Sequence, residues 1–173
     1  MYVGGILYRL ISDNMYNMVE ESLSALHWFD DNRGHLPITL YPEPIDEGSV
    51  VELNAVSFSI DDIVSEEAEM GSNLTEHRFS YYIDVYGEGK SLAMHLAADI
   101  KDILQGRFSS IGRTTPTFDV LDLTQEGKPV LFFCEISDVQ FDRNRISNSP
   151  SEKYWWTISC DIVYTYGDEN SDY

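Results

Sequence analysis

The stretch Gly87-Glu88-Gly89-Lys90-Ser91 follows an apolar run, "YYIDVY", and opens a helical pattern, "SLAMHLAADI". That is the setting of a phosphate-binding loop. Such a loop needs a glycine five residues before its Gly-Lys pair, so that backbone amides can cradle phosphate. Asp84 stands there, and its carboxylate would face the phosphate. The turn also enters the helix too soon. We read it as a tight strand-to-helix turn whose two glycines supply unusual backbone angles. The histidines, His27, His35, His77 and His95, show no HxxH or HExxH spacing for zinc. "DRNR" at 142–145 lacks the oxygen-ligand series of a calcium loop. Neither a GxSxG elbow nor a Cys-His signature occurs. Cys134 and Cys160 each lie in an apolar run and read as buried, reduced thiols. The acid pairs Asp61-Asp62 and Glu66-Glu67 read as part of a solvated loop. No catalytic, cofactor or metal residue is therefore expected, and the chain is not read as an enzyme.

The elements that would position any site follow from apolar spacing. Leu7, Leu10, Ile11, Met18, Val19 and Leu26 fall on one face of a helix over about 5–28, with Gly34 as its terminator. The Pro-rich "LPITLYPEPIDEG" reads as a connector or short edge strand. "SVVELNAVSFSID" is a strand whose apolar parity switches, so a bulge is expected near Ala55. Residues 61–76 hold six acids and no base, and read as a long polar loop. "HRFSYYIDVYG" alternates Phe79, Tyr81, Ile83 and Val85 with polar and aromatic residues, as a central strand would. A second helix carries Leu92, Leu96, Ile100, Ile103 and Leu104 and ends at Gly106. "TFDVLDL", "VLFFCEISDVQF" and "YWWTISCDIVYTY" are three further strands. "DRNRISNSPSE" is a hairpin loop between the last two, and the acidic tail 167–173 is expected to fray. This order predicts a single α+β domain: a mainly antiparallel sheet of five to six strands with two helices packed on it.

The 173 residues carry 30 acids against 11 Lys and Arg, a formal net charge of −19. That excludes general binding to DNA or to an anionic membrane. No apolar run reaches the roughly 18 residues of a membrane span. "MYVGGILYRLISDN" has no basic leader, so no secretory signal is expected and synthesis in the cytoplasm is.

In the arrangement of its elements the chain resembles the bacteriophage tail terminator, or tail-completion, proteins. The resemblance covers roughly 5–166. It runs from an N-terminal helix through "LPITLYPEPID" to "FSYYIDVYGEGKSLAMHLAADIKDIL", then a Gly-Arg loop and strands ending in "WWTISCDIVYTY". The acidic segment and tail depart from the pattern. The resemblance implies a structural virion protein at the head-proximal end of the tail. It would form a ring, typically a hexamer, that caps the tail tube, ends its polymerisation and offers a joining surface to head-tail connector or neck proteins. DNA would pass through the lumen unbound. A head-completion, neck or baseplate protein is the alternative, and a small metal-dependent enzyme a more distant one.

A ring of such acidic chains needs contacts that offset repulsion. Tyr82, Tyr86 and Trp155, opposite the expected core face, are the candidate apolar contacts. Arg107, Arg113, Arg143 and Arg145 are the candidate bases to meet a neighbour's acids, among them Asp61, Asp62, Glu66, Glu67 and Glu69.

Overall fold

The computed structural model describes residues 4–30, 37–44, 54–67, 74–145 and 154–167. In chain order the elements are α1 (Gly4–Ala25), β1 (Thr39–Tyr41), β2 (Ala55–Glu67), β3 (Leu74–Gly87), α2 (Lys90–Leu104), β4 (Thr117–Leu121), β5 (Val130–Arg145) and β6 (Tyr154–Gly167). The strands form one sheet in the order β1-β2-β3-β6-β5-β4, curled into a half-barrel. Every pairing is antiparallel except the short β1–β2 pair, which is parallel. The domain is therefore α+β, as the element order implied, with a mixed sheet.

Strand alternation sets the layers. Phe79, Tyr81, Ile83 and Val85 of β3, with Ile158, Cys160, Ile162 and Tyr164 of β6, are buried on one face. Successive strand residues point to opposite faces, so that face is continuous across the two central strands. Helix α2 packs on it through Ala93, Leu96, Ala97, Ile100, Ile103 and Leu104. Burying each large aliphatic side chain there contributes about 1.5–3 kcal/mol. Helix α1 offers Ile11, Met15, Val19 and Leu23, one residue per turn. Leu10, Met18 and Leu26 only flank the core, so the buried stripe is rotated from the one read in the sequence. Tyr8 and Tyr16 of α1 set their rings edge-on against Phe79 and Phe58.

Polar ties fix the helices. Asn14, almost fully buried, donates to the Leu121 carbonyl (3.0 Å) and accepts from the Leu121 amide (3.1 Å), joining α1 to edge strand β4. Trp28 donates to Asp99 of α2 (2.8 Å). Gly34 lies outside the described residues, and α1 stops before it. His27 adopts φ +62°; its amide bonds to the Ser24 carbonyl and that of Trp28 to the Leu23 carbonyl. This pair of bonds is the usual glycine-type helix stop, here made by a histidine whose Nδ1 is hydrogen-bonded to Asp30 Oδ2 at 2.8 Å.

Three further expectations are corrected. Most of the supposed acidic loop is strand: β2 continues to Glu67, β3 begins at Leu74, and Glu66 pairs with Glu76. The ladder supplies the backbone partners there whatever the side-chain charge. Residues 68–73, Glu69 among them, lie outside the described residues. The irregularity in β2 falls between Asp61 and Ile63, not near Ala55. Finally, Arg143 and Arg145 belong to β5, not to a hairpin loop. The tail 168–173 is not among the described residues.

Candidate functional site

Helices cover one face of the sheet; the other is built from the alternate residues. Following the ladder from β6 through β3 to β2, Asp161 faces Ser80 and Asp61, Ser159 faces Tyr82 and Ser59, Thr157 faces Asp84 and Ser57, and Trp155 faces Tyr86 and Ala55. Ser137, Gln140 and Asp142 extend these rows on β5. Small hydroxyls and carboxylates dominate, a composition that a dry protein core would not tolerate.

The face is internally tied. Trp155 stacks on Tyr86 at 5.6 Å and 20° and donates its indole N–H to Asp84 Oδ1 at 2.9 Å. Thr157 donates to the same oxygen at 2.6 Å. Burial, helped by the Asp84 charge, pushes the Tyr86 hydroxyl up to about 12. Farther along, Arg78 lies 3.6 Å from both Glu76 and Asp161, and Ser80 donates to Asp161. Arg78 is the one base among the described side chains of this face. The surface is acidic, and Asp84, Asp161 and Glu76 are engaged by neighbours. No group of three or more His, Cys, Asp or Glu among the described residues could hold a metal ion.

Compared with protein-family models and with curated proteins, the chain matches none.

The sequence reading grouped Tyr82, Tyr86 and Trp155 as contacts for a neighbour. The structure places all three on the uncovered face, half-buried, with Tyr86 and Trp155 occupied by each other. Arg113 is likewise occupied: it donates to the Ile103 carbonyl at the end of α2 (3.3 Å) and to the Thr117 carbonyl (2.8 Å). It closes the α2–β4 connection, and burial lowers its pKa from the usual range. Arg107 is exposed. Arg143 and Arg145 pair with Trp156 and Tyr154 near the end of β5, and Asp61, Asp62, Glu66 and Glu67 lie in β2. The two charged groups are thus at opposite edges of the sheet.

Sequence reasoning missed the exposed apolar residues. Phe133 is 59% exposed, Val130 58% and Leu131 36%. Leu131 and Phe133 share the parity of Glu135 and so belong to the uncovered face, where Phe133 borders a cleft of about 340 Å³ with Glu76, Glu135 and Val163. The available signal was the unbroken run "VLFF": in an alternating strand only half of such a run can reach one core.

The Gly87–Ser91 turn has a different basis from the one expected. Neither Gly87 nor Gly89 has positive φ. A Cβ on Gly87 would lie 2.7 Å from the Ala93 Cβ, so glycine there permits the first turn of α2 to press against β3. The Glu88 amide donates to the Asn54 side chain at 3.0 Å, which takes up one of the donors that a phosphate would require.

Proposed function

We propose that this protein is a structural subunit of a phage tail, forming a ring that caps the tail tube, ends its growth and presents the joining surface for connector or neck proteins. The observation that carries the reading is the asymmetry of the sheet. One face is sealed by two helices, while among the described residues no helix covers the other, which is rich in hydroxyls and acidic. In a ring with that second face inward, the wall repels phosphate and lets DNA slide, whereas a basic wall would hold it. The arrangement of elements that resembles the tail terminators supports the same reading. The engaged carboxylates of the uncovered face give no separate support to an enzyme.

The test is to add the purified protein to growing tail tubes of the cognate phage and examine them by negative-stain electron microscopy. The proposal expects a ring-shaped cap at one end and tubes that stop lengthening. Tubes that grow on uncapped in the presence of excess protein would overturn it.

A further inference from the structure

Both edges of the sheet are stepped. At one edge β1 pairs only with the first residues of β2, 55–57. At the other, β4 pairs with β5 only as far as Glu135, and the Ile136 amide bonds to the Pro116 carbonyl. Among the described residues no strand pairs with the outer edge of 58–67 in β2 or of 137–145 in β5. Long unpaired edges are templates for another strand, and proteins that do not use them usually block them. Here the two short strands leave complementary steps, because β1 and β4 sit at opposite ends of the sheet.

From these steps we infer that the chains join edge to edge, the free edge of β5 in one copy pairing antiparallel with the free edge of β2 in the next. This rests on the ring reading above and names the surface that would build the ring. Three points support it. The free stretches match in length, about 30 Å each at roughly 3.3 Å per residue. The direction is right: three successive antiparallel pairings make β2 and β5 antiparallel to each other. A rotation about an axis near the strand direction therefore brings them together antiparallel, continuing the sheet without a break in alternation.

The third point is geometric. Full overlap displaces each copy along the strands by about five residues relative to its neighbour, counted on the β2–β3–β6–β5 ladder. Spread over the four long strands of each copy at about 3.3 Å per residue and about 4.8 Å between strands, this stagger corresponds to a tilt of about 40°. Closed barrels have strands tilted by about 35–45°. The steps in a single chain thus carry the stagger that a closed ring of sheets needs, whatever the number of copies. Closure also removes both free edges.

Hydrogen exchange on the wild type tests this, with oligomer mass followed by light scattering after size exclusion. Backbone amides on the outer edges of 58–67 and 137–145 should exchange at least about tenfold more slowly in the assembled protein than in the chain dissociated at low salt, because each gains a ladder partner in the joint. A ring in which exchange in either stretch is unchanged from the dissociated chain would overturn the edge pairing and leave the ring standing. A wild type that stays monomeric at both ionic strengths would overturn both.

Discussion

Replacing Trp155 by alanine separates a strut within the subunit from a contact between subunits. In the isolated chain the indole makes two interactions on the uncovered face, the stack on Tyr86 at 5.6 Å and the hydrogen bond to Asp84 at 2.9 Å. An aromatic pair contributes about 0.5–1.5 kcal/mol beyond its area. A hydrogen bond to a charged group contributes about 1.5–3 kcal/mol when protected, and less here because the face is only half-buried. The sum, with some area lost, is about 2–4 kcal/mol. In a chain of this size that corresponds to a fall in Tm of roughly 5–15 °C. Trp155→Phe keeps the stack and should lose only about 1–2 kcal/mol. The assay is urea unfolding followed by far-ultraviolet circular dichroism, on protein dilute enough to be monomeric. If Trp155→Ala unfolds at the wild-type midpoint yet fails to assemble, the indole is an interface anchor and the reasoning from its intramolecular partners is wrong.

Asn14→Ala strands the amide and carbonyl of Leu121 and should cost about 2–3 kcal/mol, again read as a shift in the urea midpoint. Gly106 has φ +65°, and an added Cβ would lie 2.2 Å from the Thr115 carbonyl carbon; Gly106→Ala should therefore destabilise by more than about 2 kcal/mol or prevent folding, whereas Gly112→Ala, with φ +78° but open space around it, should cost only about 1 kcal/mol. Burial pushes the Cys134 and Cys160 thiols up to about 12, so a thiol reagent at pH 8 should label neither in the native protein and both in urea; fast labelling without denaturant would contradict the buried positions.

The parts of the fold that follow from period were legible in the sequence. The alternation of Phe79, Tyr81, Ile83 and Val85 defines a central strand because both its neighbours lie on the same core. The stripe on α2 is read as easily, since one face of that helix meets the sheet. What composition hid was decided by the backbone. Asp61–Glu67 looks like solvated loop, yet β3 pairs with every residue of it except Asp62 at the bulge. His27 ends α1 although only its φ of +62°, and not its side-chain type, marks it as a helix stop. Of the candidate site, the uncovered aromatic positions could be placed by parity, but their partners could not. Nothing in the sequence shows that Trp155 finds Tyr86 and Asp84, or that Arg113 reaches back to the Ile103 carbonyl. The stepped edges arise from which strands are short and where they pair, a property of sheet order that local pattern does not carry.

The measurement that bears most directly on the ring is native mass at two ionic strengths, low and moderate. Salt screens the repulsion between chains of net charge −19 more than it weakens backbone pairing along an edge. The account predicts one closed species at moderate salt, six chains of 19.8 kDa each if the resemblance extends to the count, with dissociation as salt is lowered. A protein that is monomeric under both conditions, or an open-ended series of masses without a dominant closed species, would contradict it.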